Sequence, residues 1–79
     1  MQQNEALEII QNALNISIED APKITLETDL IEEEILDSLD GMMFMMEVET
    51  ASSKKLPEEI DLVDEGYYTV SKLAAFLCE

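Results

Sequence analysis

The sequence predicts an all-α fold: a small four-helix bundle, with three main helices, one short one and a long loop before the second helix. Three observations predict it. Apolar residues recur at helical spacing in three separate stretches. No stretch alternates apolar and polar residues as a half-buried strand does. Cap and breaker residues, among them Asn4, Pro22, Asp37, Pro57 and Gly66, punctuate the chain where helices would start or stop. Seventy-nine residues without an internal repeat make one domain, 1–79.

The first helix is read over Asn4–Asn15. Ala6, Leu7, Ile9, Ile10, Ala13 and Leu14 form its apolar face, with Asn4 as N-cap and Asn15 as stop. Residues 17–37 form a long connection broken at Pro22. Such loops are uncommon in compact domains unless functional, and the scattered Ile18, Ile24, Leu26, Leu30, Ile31, Ile35 and Leu36 predict one pinned to the core. The second helix runs from Ser38 to about Ser52 behind Asp37, a good N-cap. The short third helix starts at Pro57, carries Glu58 and Glu59 in its first turn and exits at Gly66. The last runs from Thr69, its N-cap, to Leu77, with Val70, Leu73, Ala74 and Leu77 as one stripe. Tyr67 and Tyr68 are expected to close the bundle.

Nineteen acids face four lysines and no arginine, for a net charge of −15. That charge argues against nucleic acid, whose phosphates need basic neutralisation, and against an anionic membrane surface. It favours partners with basic docking patches, reached by electrostatic steering. No apolar run is long enough for membrane insertion, and the start of the chain lacks the basic residues of a secretory signal. A cytoplasmic monomer is the expectation. The single cysteine, Cys78, allows no internal disulfide, and one cysteine without histidine excludes the usual zinc frameworks.

An independent enzyme is not expected. Ser38 has no histidine to act as base, and its neighbours Asp37 and Asp40 oppose a developing alkoxide. The acids Asp29, Glu32, Glu33, Glu34, Asp37 and Asp40 lack the order of a calcium loop, so weak, nonspecific divalent binding is expected and no dedicated metal site. Ser38 suits an anchor better. A helix start offers unpaired N–H groups and the positive end of the dipole, which tolerate a phosphodiester in the first turn. Taken alone, a serine there reads better as a plain cap or first-turn residue.

Asp37-Ser38-Leu39 resembles the attachment motif of acyl carrier proteins, and Asp40 matches an acid often found next in them. Thr28-Asp29-Leu30 resembles the family's Thr-Asp-Leu upstream of the serine. Leu56-Pro57 falls where the family has an apolar residue and proline, and Val70 to Leu77 resembles its last helix. The resemblance covers nearly the whole chain, and only the serine motif is specific. It implies a 4′-phosphopantetheine arm on Ser38, moved from coenzyme A by a phosphopantetheinyl transferase with magnesium, Asp37 assisting the metal. It implies further partners that load and transfer the acyl group, docking near the second helix. The bundle interior, lined by Ile10, Leu14, Phe44, Val48, Leu73 and Leu77, is where a cargo would shelter.

The chain departs from the family in Gly41-Met42-Met43-Phe44-Met45-Met46, which replaces acids usual on the second helix. Phe44, Met45 and Val48 are read as core. Leu39, Met42, Met43 and Met46 are read as flanking the arm on the partner side, with Asp40, Glu47 and Glu49 as polar contacts; the rival reading makes the methionines core filling. Ala51-Ser52-Ser53-Lys54-Lys55 replaces the family's aromatic-glycine stop, and Asp61 to Tyr68 is longer than in common fatty-acid carriers and resembles D-alanyl and other aminoacyl carriers. The reading is a specialised acyl carrier serving fatty-acid-derived lipid, cell-envelope lipid or polyketide biosynthesis. Two alternatives stand beside it: an aminoacyl carrier loaded by an adenylating ligase, and an acidic helical interaction module without an arm.

Overall fold

Gln11, a polar residue on the first helix, does much to shape the molecule. In the computed structural model, which describes residues 1–56 and 65–79, its amide oxygen accepts from the Ile24 N–H at 2.8 Å. Its amide nitrogen donates to the Pro22 carbonyl at 3.0 Å and to Asn15 Oδ1 at 3.1 Å. One side chain thus ties the long connection back onto the helix and sets Ile24 into the core.

Helix α1 spans Gln3–Ser17, α2 Ser38–Ser52 and α3 Val70–Leu77. The described residues are all-α, with no strand and only an isolated bridge between Asp29 and Thr69. α1 packs against both α2 and α3. Ala6, Ile10, Ala13 and Leu14 of α1, Phe44, Met45 and Val48 of α2, and Val70, Leu73, Ala74 and Leu77 of α3 form one apolar cluster with Ile24, Leu30, Leu36, Leu56 and Tyr68. Residues 57–64, which hold most of the expected short helix, lie outside the described residues; Gly66 sits in a turn with φ +75°.

Two boundaries of α1 differ from the sequence reading. Asn4 lies inside the helix, and Gln2 is the N-cap without a side-chain bond. The Ala6 N–H reaches the Gln2 carbonyl, so the backbone starts the helix about half a turn early. Asn15 does not stop it either. The Ser17 hydroxyl donates to the Ala13 carbonyl at 2.8 Å and the Ile18 N–H to that of Leu14, carrying the helix to Ser17.

The long connection is pinned as its apolar residues predict, with Ile24, Leu30 and Leu36 buried. Its acidic stretch is a single closed turn. Asp29 Oδ1 accepts from the N–H groups of Ile31 and Glu32, and Glu33 Oε2 accepts from that of Asp29, a reciprocal cap. Glu34 adopts a left-handed φ of 59°, and the N–H groups of Glu34 and Ile35 bond the carbonyls of Ile31 and Leu30. This is the Schellman geometry that ends a helix.

The same connection caps α3. Thr69 is its N-cap as expected, but makes no side-chain capping bond. The carbonyls of Thr28 and Leu26 take the N–H groups of Val70 and Ser71, each at 2.9 Å. The Thr69 hydroxyl donates instead to Asp29 Oδ2 at 3.2 Å. Thr28-Asp29-Leu30 is therefore a structural joint. Thr28 caps α3, Asp29 ties the acidic turn to Thr69, and Leu30 is buried while its N–H donates to the Tyr68 carbonyl. Among the described residues no helix is long and apolar enough to cross a membrane.

Candidate functional site

Ser38 is the first residue of α2, and Asp37 is its N-cap. The Asp37 backbone is extended, with φ −94° and ψ −175°, so the chain enters the helix through a sharp change of direction. Asp37 Oδ1 accepts from the Asp40 N–H at 2.8 Å, satisfying one of the donors a helix start leaves open. The Gly41 N–H then bonds the Asp37 carbonyl at 2.8 Å, the first turn of the helix. A carboxylate at this position also complements the positive end of the helix dipole. Asp37-Ser38-Leu39 is thus the junction of the long connection with α2.

From that junction α2 presents two apolar stripes with the same spacing. Gly41, Phe44, Met45 and Val48 are buried. Leu39, Met42, Met43 and Met46 are exposed, at 77, 53, 51 and 65 % of their surface. The second stripe is the first shifted by two residues, which is about 200° around the axis, so the two lie on opposite sides. The exposed stripe begins at the residue after Ser38. Asp40 and Glu47 are half-buried beside it.

Glu49 has work within the fold. Its Oε2 accepts from the Leu56 N–H at 2.7 Å, holding the chain that leaves α2 and setting Leu56 into the core. Lys54, after α2, has a similar internal use. Lys54 Nζ reaches the main-chain oxygens of Phe76 and Glu79, placing its charge at the negative end of α3. Ser53 ends α2 in the left-handed region at φ 58°, the conformation a glycine usually supplies there. Lys54 and Phe76 lie 22 residues apart, so no local pattern announces that tie.

Gly41, on the buried stripe, marks the closest approach in the site. A Cβ placed on it would lie 2.7 Å from the Tyr68 hydroxyl oxygen and 3.2 Å from two ring carbons. Tyr68 is buried, and its ring occupies space that any other residue at 41 would claim. Tyr67 is half-buried, edge-on to Phe76 with ring centroids 5.5 Å apart, and Lys72 Nζ lies 5.7 Å above its ring. Both tyrosines close the bundle where α3 begins. Tyr68 also lines a surface cleft of about 310 Å³ with Asp29, Ile31, Glu32 and Gly66.

Among the described residues no three acids or cysteines are grouped to hold a metal ion. Asp29 and Glu33 are engaged with backbone N–H groups instead. No buried side-chain nitrogen or oxygen among the described residues lacks a partner. Cys78 is a free, half-buried thiol beyond the end of α3. Comparison with protein-family models, curated proteins and solved structures yields no match to this chain.

Proposed function

We propose that the chain is an acyl carrier, holding acyl groups as thioesters on a 4′-phosphopantetheine arm esterified to Ser38. The observation that carries the reading is the junction itself. Asp37-Ser38-Leu39 falls at the start of α2, Asp37 caps the helix, and an exposed apolar stripe opens at Leu39. Function then needs no catalytic residue in the chain. The serine oxygen attacks the pantetheine-side phosphorus of coenzyme A, the pyrophosphate bond breaks, and the adenosine bisphosphate half departs. The serine proton passes to a base of the phosphopantetheinyl transferase. Asp37 assists the transferase's magnesium while its Oδ1 accepts from the Asp40 N–H.

The exposed stripe and its flanking acids give partners a mixed surface. Leu39, Met42, Met43 and Met46 offer unbranched or flexible apolar contact, which suits several differently shaped enzymes. Asp40 and Glu47 with the −15 field attract basic docking patches on loading and transfer enzymes. Glu49 contributes charge to that field while its carboxylate stays with Leu56. The cytoplasm, where coenzyme A and the transferase meet such carriers, is the proposed site of action.

Incubation of the purified chain with a broad-specificity transferase, coenzyme A and magnesium tests this. One arm is added to the wild-type chain and none to Ser38→Ala. Modification that persists in Ser38→Ala rejects the assignment.

A further inference from the structure

The contact between Gly41 and Tyr68 bears on what the carrier holds. Gly41 lies one helical turn beyond Ser38 on α2. The Tyr68 ring lies so close over its Cα that a Cβ there would push the ring away. The residues that would line an internal shelter, Ile10, Leu14, Phe44, Val48, Leu73 and Leu77, are fully buried in one apolar cluster with Tyr68. The backbone that carries the ring is tied into the joint that caps α3. The Leu30 N–H bonds the Tyr68 carbonyl, and the neighbouring Thr69 hydroxyl bonds Asp29.

We infer that Tyr68 is a specificity-determining residue. Seated on Gly41, it closes the bundle beside the attachment serine and keeps the cargo outside the core. This rests on the carrier reading of Ser38. Every methylene of a carried chain then stays in water, which grows costlier with length. The cargo class that fits is a short or polar acyl group, aminoacyl groups included. A long hydrocarbon chain does not fit.

The arm-bearing full-length chain, loaded in turn with acetyl and octanoyl groups, tests this. In the wild-type chain the two thioesters hydrolyse at matching rates, and the methyl resonances of Val48 and Leu73 keep their positions under either cargo. In Tyr68→Ala the octanoyl chain enters, shifting those resonances and slowing its own hydrolysis severalfold. Tyr68→Leu, which removes the ring and keeps apolar bulk, serves where the alanine variant does not fold. Octanoyl-dependent shifts of Val48 and Leu73 in the wild-type chain, or slower hydrolysis of its octanoyl thioester, overturn the inference alone. So does a folded Tyr68 variant that leaves octanoyl outside. A wild-type chain that takes no arm at Ser38 overturns the carrier reading and the inference with it.

Discussion

Asp37 bonds the Asp40 N–H through one carboxylate oxygen, and two substitutions separate that bond from its charge. Asp37→Asn keeps a good N-cap and loses the anion, so stability stays within about 0.5 kcal/mol. Transfer of the arm slows, because a neutral amide is a poor partner for magnesium. Asp37→Ala loses both and costs about 1 kcal/mol in addition. Chemical denaturation paired with modification rates reads the two effects; an asparagine variant modified as fast as wild type removes the metal role from Asp37. At Gly41 two opposing effects compete. Alanine is the better helix former by roughly 1 kcal/mol, yet here its methyl would meet the Tyr68 ring. Overpacking costs about 1–3 kcal/mol, so Gly41→Ala destabilises the chain. In the double variant with Tyr68→Ala the penalty of the added methyl disappears, which a double-mutant cycle measures. The sequence could place Gly41 on a helix and Tyr68 in the core. It could not bring them together, since only the turn before α3 sets that distance.

α2 was legible as a helix. Its two stripes share one spacing, so periodicity alone leaves the choice of core face open. Phe44, Met45 and Val48 are the core side and Leu39, Met42, Met43 and Met46 the exposed side, a choice the sequence left open against methionines as core filling. The stop of α1 was not legible, because the bonds from Ser17 and Ile18 override the signal of Asn15. Nor was the use of Thr28-Asp29-Leu30. A motif read as family likeness proves to be the joint that caps α3 and closes the acidic turn. The exposed face of α2 yields the next prediction. Met42→Glu and Met46→Glu each change stability by no more than about 0.5 kcal/mol, as ordinary surface substitutions do. Transfer to the native partner falls, because an apolar contact becomes a charge that must be desolvated. Thermal melting beside a transfer assay reads both, and loss of the melting transition in both variants would mean that these side chains pack inside.

At the scale of the whole molecule, charge sets two opposite responses to salt. A net −15 on a body of 27 × 25 × 22 Å repels itself, so the melting temperature rises as salt is added. At 0.1 M salt, exposed charges more than about 10 Å apart are largely screened, and the same salt slows encounter with a basic partner. Association rates that ignore ionic strength would reduce the acids to a solvating coat. The fold class was legible because three helical stretches and their caps are local in the sequence, whereas the polar ties of Gln11, Glu49 and Lys54 are not. The central claim concerns one covalent bond, and one measurement meets it directly: the intact mass of the protein isolated from the cells that make it. A carrier is heavier by one 4′-phosphopantetheine, free or acylated, with the added mass on the peptide that contains Ser38. A chain of unmodified mass, recovered from cells that carry out phosphopantetheinylation, would contradict it and leave an acidic helical interaction module.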